Sequence, residues 1–142
     1  MSQGEEGTDS PTINVFTVFL ALAISAKRKM HKVVYDVAGA YLNADLKTPE
    51  YMRLSKEVSK VALTHPAYPP CLRADGTITV KLKKALYGLK QASRAWFDLL
   101  VVTLKNMGFK QGRMDRCCFF RNSNSKWDIC WCMWMTYLFS VM

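Results

Sequence analysis

The hydrophobic pattern predicts a few elements separated by polar, proline-marked connections. Ser10 suits a helix N-cap and Pro11 the first helical position, and Val15, Phe16, Val18, Phe19, Leu20, Leu22, Ala23 and Ile24 then fill a helix that is apolar on most sides. Lys27, Arg28 and Lys29 favour its C-terminal end, where the helix dipole attracts positive charge. The apolar run from Val15 to Ala26 is too short to cross a bilayer and its upstream flank is acidic, so a buried helix is predicted rather than a membrane span or signal peptide. Val33, Val34, Tyr35 and Val37 predict a strand over residues 32–37, broken at Gly39, which places Asp36 near the strand end.

The stretch from Lys47 to Ala74 holds Pro49, Pro66, Pro69 and Pro70 and reads as a long connection with a short strand near Tyr51–Leu54. Asp75-Gly76 signals a turn into a strand over residues 77–82. Trp96, Leu99, Leu100, Thr103, Leu104 and Met107 recur at helical spacing, predicting a helix from about Gln91 to Met107 that Gly108 ends. Residues 1–9 are polar, acidic and glycine-containing and are expected to be a disordered tail. Elements of both kinds, with strands close in sequence, predict an α+β fold: a small antiparallel sheet with helices packed on one face.

Composition narrows the classes. At 142 residues with 50% hydrophobic and 22% charged positions, the chain suits one folded core but is short for an enzyme that holds a template, a primer and a nucleotide together, so it reads as a fragment or a subdomain. Twenty Lys and Arg against 11 Asp and Glu give a formal charge of +9, which favours an anionic partner. Cys71, Cys117, Cys118, Cys130 and Cys132 form no C-x-x-C pair and follow no secretory signal, so a reduced intracellular chain with small buried thiols is preferred to a zinc site.

Two motifs carry the chemistry. They are YDVAGAYLNADL, from Tyr35 to Leu46, and LYGLKQASRAWF, from Leu86 to Phe97. Taken alone, Asp36 reads as a turn or capping carboxylate, and Gly88 with Lys90 and Arg94 as a strand-to-helix turn with solvated charges. Together the motifs resemble the reverse transcriptases of copia-type retrotransposons. The resemblance covers about residues 10–121 and includes the YMRLSK segment from Tyr51 and the GFKQGRMDRCCFF run from Gly108, in which Asp115, Cys117 and Phe119 match a D-x-C-x-F pattern.

The resemblance implies an RNA-directed DNA polymerase performing nucleotidyl transfer with two metal ions, Mg²⁺ or Mn²⁺. In it Asp36 is the catalytic metal-binding carboxylate, Val37 offers its backbone carbonyl, and Tyr41 packs against the incoming sugar and excludes a 2′-hydroxyl. Tyr87, Gly88, Leu89, Lys90 and Gln91 form the template and nucleotide platform, and Lys90 and Arg94 meet phosphates of the nucleic acid. Asp45 matches a solvated acidic position and is rejected as a ligand. The implied fold is a partial palm and fingers without a thumb. The implied partners are an RNA or DNA template-primer and a deoxynucleotide, with no membrane and no small-molecule cofactor.

The resemblance stops after Arg121. The aromatic-Val-Asp-Asp turn that supplies the family's remaining carboxylates is absent from the 142 residues as written. Met and Trp have one codon each, so residues 132–136, Cys-Met-Trp-Met-Thr, are encoded as TGY ATG TGG ATG ACN. Read two bases later, these letters give Tyr or His followed by Val-Asp-Asp. The same frame upstream, from Trp127, gives Gly, Tyr or His, Leu or Met, Leu and Val. A frame change between about Asn122 and Trp127, or a misplaced exon boundary, is inferred, making residues 122–142 a non-native tail.

Two expectations follow from that tail. With Asp36 as the lone carboxylate, and Asp128 not positioned to replace the turn, polymerase activity is expected to fail. The Trp, Met and Cys side chains of the tail are expected to be exposed and to lower solubility. Two other readings stand beside this one: a non-catalytic, basic nucleic-acid-binding remnant, and a membrane anchor in the apolar tail from Ile129, which is short for a span.

Overall fold

The computed structural model describes residues 10–66, 72–124, 126–133 and 136–141; the N-terminal acidic stretch and Cys71 lie outside them. Helix α1 (Val15–Lys27) begins later than Ser10 and is capped by Asn14, whose side-chain oxygen accepts from the Phe16 N–H at 2.9 Å. The delay has a physical cause. The Cys117 thiol donates to the Pro11 carbonyl at 3.2 Å, Ile13 is buried, and the Asn14 N–H donates to Asp115 at 2.8 Å. These contacts hold the entry segment against the sheet and out of the helix. At the other end Lys29 adopts φ +52°, and the Met30 N–H reaches back to the Ser25 carbonyl at 2.8 Å, a left-handed C-terminal cap.

Helix α1 is not buried all round, as its composition predicts. Ala21 and Ser25 are its buried residues, whereas Phe16 and Phe19 are 78% and 65% exposed. One narrow stripe of small residues meets the sheet, and the large side chains flank it.

Strand β1 (His31–Asp36) agrees with expectation to within a residue at each end, and the short helix α2 (Ala40–Asn43) follows. The supposed long connection is more regular than its prolines suggest. Strand β2 (Asp45–Arg53) is nine residues long, and helix α3 (Lys56–Leu63) starts at Ser55, whose hydroxyl accepts from the Val58 N–H at 3.3 Å. The helix is docked through a small buried residue: Ser59 donates its hydroxyl to the Leu54 carbonyl and accepts from the Ile78 N–H at 3.0 Å. Strand β3 (Thr79–Lys84) pairs antiparallel with β2 as a separate two-stranded sheet, with a register shift between Asp45 and Glu50.

Helix α4 (Ala92–Asn106) buries Trp96, Phe97, Leu100 and Leu104 along one face. Gly108, at φ +86°, ends it, and the Phe109 N–H reaches the Leu104 carbonyl at 3.0 Å. Strands β4 (Lys110–Gln111), β5 (Cys118–Ser123), β6 (Lys126–Met133) and β7 (Thr136–Val141) complete an antiparallel sheet of order β1-β7-β6-β5-β4. Residues 126–133 and 136–141, expected to be a non-native tail, thus supply two of its five strands. Cys130, Trp131 and Cys132 are buried rather than exposed, because the β5–β6 register sets Cys130 against the fully buried Phe119.

Alternation along β5 and β6 separates the two faces of this sheet. Cys132 borders α4 together with Trp96 and Leu100, while Cys118, Phe120, Trp127 and Ile129 border α1. The two helices therefore flank opposite faces, instead of one face as expected. Mixed helices and small antiparallel sheets define an α+β chain, and no described helix is long and apolar enough to cross a membrane.

Candidate active site

Strand β1 carries Asp36 to one end of the five-stranded sheet, where its side chain is exposed. Asp36 is in register with Thr136 of β7, and Thr136 with Met133 of β6. The connection between β6 and β7 therefore falls at the sheet end that bears Asp36. Residues 134–135 themselves are outside the described set. Val37 turns inward against the core, and Gly39 takes φ +60° to start α2. That left-handed geometry favours glycine, and a Cβ there would also meet Leu42 at 3.4 Å.

Helix α2 presents Tyr41, half-buried, with its ring centroid 4.6 Å from that of Tyr87 and the planes tilted by 56°. Tyr87 is exposed at the turn before α4. Gly88 has φ +92° and open space where a Cβ would stand, so backbone conformation, not crowding, is what calls for glycine here. Leu89 is half-buried and Lys90 exposed. Gln91 donates its side-chain amide to Glu50 of β2, tying the turn to the second sheet.

Arg94 is engaged within the protein. It donates to Asp98, one helical turn on, at 3.0 Å, and Lys47 donates to the other oxygen at 2.9 Å. Burial pushes the Asp98 carboxyl up, but the hydrogen bonds from Lys47 and Arg94 outweigh it and hold the group below the usual carboxylate range. A phosphate approaching Arg94 would compete with this carboxylate. The structure thus brings Tyr41, Tyr87, Gly88 and Leu89 around one cavity, with Lys90 and Gln91 following in the same turn. Asp36 and Val37 are not among the described residues lining that cavity.

Two further carboxylates have structural partners that spacing alone does not reveal. Asp115 accepts from the Cys117 N–H at 2.9 Å with one oxygen and from the Asn14 N–H with the other, which positions the start of α1. Asp128, 7% exposed, is held by Arg121 at 2.7 and 2.9 Å. The Arg121 guanidinium also lies 4.6 Å over the Phe109 ring. Asp45, rejected as a ligand from its motif position, pairs with Lys84 at 2.8 Å.

A hard divalent cation held for phosphoryl chemistry needs several oxygen ligands, at least two of them carboxylates. Among the described residues no group of three or more His, Cys, Asp or Glu side chains is arranged to hold a metal. These residues do not fit a metal centre by themselves. Of the described thiols, Cys130 is pushed up to about 12 by burial, and Cys132 is raised by its hydrogen bond to Cys117 and by burial, which disfavours the thiolate that a softer metal needs.

The strand bearing Asp36, the tyrosine-glycine turn and the helix that follows it belong to a polymerase-type domain, and comparison with known proteins shows which. A family described as reverse transcriptase (RNA-dependent DNA polymerase) matches residues 5–135, wider at both ends than the motifs suggest, and the chain belongs to this family, in its copia and Ty1 branch. It is similar to the Transposon Ty1-BL Gag-Pol polyprotein of Saccharomyces cerevisiae, 29% identical over 123 residues, and to the Ty1-DR5 Gag-Pol polyprotein of the same yeast, 28% identical over 123 residues. Each match covers 84% of this chain but 6% of the polyprotein, so the chain spans a small part of these relatives. No solved structure matches it. Members of the family generally use a divalent metal and bind template-primer and deoxynucleotides.

Proposed function

We propose that this chain is a palm and fingers portion of a copia-type reverse transcriptase whose catalytic centre is incomplete in the frame as written. Asp36 is the retained metal-binding carboxylate, Val37 its carbonyl neighbour, Tyr41 the sugar-facing ring, and Tyr87, Gly88, Lys90 and Gln91 the nucleotide platform. The carrying observation is the register of Asp36 with Thr136 and of Thr136 with Met133. The codons of residues 134–136, which spell Asp-Asp in the alternate frame, belong to the segment that joins β6 to β7 at the sheet end bearing Asp36. A Val-Asp-Asp turn in that place would set two more carboxylates beside the first, which a pair of hard cations requires.

The test compares the present chain with one in which the alternate frame is restored from Asn122 onward. With template-primer, deoxynucleotides and Mg²⁺, the restored protein is expected to extend the primer and the present chain to give no product above background. Replacing Asp36 by Asn in the restored protein should lower extension by at least about a hundredfold, in keeping with loss of a ligand that aligns the reacting groups. Extension by the unaltered chain, or none by the restored one, overturns the reading.

A second reading rests on the charge of +9 and on the exposed Lys90: the chain binds nucleic acid without catalysis. Salt-sensitive binding of a short duplex would support it. Lys90→Ala should then flatten the dependence of binding on salt by about one phosphate contact. Absence of binding at low salt removes it.

A further inference from the structure

We propose that β1 is a docking edge for a second copy of this chain, paired antiparallel about a two-fold axis at Val34 so that Lys32 of each copy meets Asp36 of the other. β1 is the terminal strand of the five-stranded sheet, and among the described residues no further strand pairs with its outer edge. Such an edge presents backbone N–H and C=O groups that a strand from another molecule can take up. All six residues of β1 are exposed, Val34 to 62% and Tyr35 to 55%, so the side chains beside that edge are open as well. The opposite edge does not compete, because β4 is two residues long and too short for a ladder. One usable edge per molecule gives a closed, two-fold pair rather than an open filament.

Symmetry and charge fix the register. Two identical antiparallel strands related by a two-fold axis normal to the sheet are centred on one residue that faces its own copy. Centred on Val34, Lys32 stands opposite Asp36, Val33 opposite Tyr35, and Val34 opposite itself. Alternation then puts two opposite-charge pairs around a valine pair on one face and two Val–Tyr pairs on the other, and both kinds of pair stabilise neighbouring strands. A centre at Val33 sets Lys32 against Val34 and leaves Asp36 beyond the paired residues; a centre at Tyr35 sets Asp36 against Val34 and leaves Lys32 beyond them. Charge complementarity therefore selects Val34.

The two charges are available for this use. Neither Lys32 nor Asp36 has an ion-pair partner among the described residues. Lysine on an edge strand ordinarily discourages self-pairing, because like charges meet. Here each lysine meets a carboxylate, and the same residue favours the pair. Association needs no template, nucleotide or metal, and Asp36 enters it as a surface charge, so dimerisation and primer extension succeed or fail independently.

Sedimentation of the full chain at rising concentration measures the association. The mass of one chain is expected at micromolar concentration, with a shift towards twice that mass at millimolar concentration, as suits a small interface. Lys32→Glu and Asp36→Lys each turn both charge pairs into like-charge pairs, and each should weaken the dimer by at least about tenfold. An equimolar mixture of these two variants regains both opposite-charge pairs in the heterodimer and should associate about as tightly as the unaltered chain. In the unaltered chain, mixed isotope-labelled and unlabelled copies should show nuclear Overhauser contacts between Val34 of one copy and Val34 of the other, and between Val33 and the Tyr35 ring. A single-chain mass at millimolar concentration, growth into open-ended aggregates, or a mixture of variants that associates no better than either alone would overturn the proposal. Should a variant fail to fold, the Overhauser contacts decide the register in the unaltered chain, and their absence refutes it.

Discussion

The five-stranded sheet is clamped in one region and bare in another. At β5 and β6, Phe119 and Cys130 oppose each other without solvent exposure, Trp131 is 2% exposed, and helices cover both faces. At β1 every residue from His31 to Asp36 is exposed, Val34 and Tyr35 included. Each region carries an aspartate, and their surroundings give them opposite uses. Asp128 is buried, and Arg121 donates twice to its Oδ2; Asp36 is open to solvent and has no ion-pair partner among the described residues. Packing turns a carboxylate into part of the scaffold, whereas a carboxylate at a bare sheet end keeps its oxygens available as ligands.

The largest effect should come from truncation in the clamped region. Phe119→Ala is expected to cost about 3–5 kcal/mol, since transfer and cavity terms add in a core that cannot collapse onto the void. Val34→Ala on β1 is expected to cost less than about 1 kcal/mol, because its side chain is already in water. Urea unfolding of both variants measures the contrast; similar losses would mean that the bare region is covered in solution.

Removing the arginine that neutralises Asp128 comes next. Arg121→Ala leaves a buried carboxylate without its donor and uncovers the Phe109 ring, and is expected to cost about 2–3 kcal/mol. Arg121→Lys should recover part of the loss, since an ammonium offers charge but not a fork that also stacks on the ring. Asp36→Asn should leave folding stability within about 0.5 kcal/mol, as exposed polar changes usually do. A large loss there would show that Asp36 is structural after all.

Legibility in the sequence follows the same division. Helix α4 and strand β1 were readable because their apolar spacing and Gly108 signal them locally. Helix α3 was hidden: its buried anchor is Ser59, a residue whose value lies in two hydrogen bonds to distant backbone. The start of α1 depended on Asp115, 101 residues away from Asn14, which no local pattern can reveal. The strands of the tail were obscured by an unusual Cys, Trp and Met composition, although its β-branched and aromatic content suffices for pairing. Among the candidate site residues, neither the approach of Tyr41 to Tyr87 nor the pairing of Arg94 with Asp98 was legible, because contacts between distant motifs leave no local pattern and a solvated arginine and an ion-paired one look alike in sequence.

Another small effect concerns Asp98, which lies between the two regimes, half-buried and paired with Lys47 and Arg94. Its carboxyl is held below the usual range because hydrogen bonds from Lys47 and Arg94 overcome the opposing effect of burial. A lowered native pKa gives stability that is present above the unfolded value, near about 3.9, and disappears as pH falls through the native one. Lys47→Ala breaks an exposed pair and should cost about 0–1 kcal/mol at neutral pH, less in high salt. Asp98→Asn should flatten the acid limb of the stability curve below about pH 4, with little change in its shape at higher pH. An Asn variant with the unaltered acid limb would show that the pair does not hold in solution, and would release Arg94 to meet phosphate as its motif position implies.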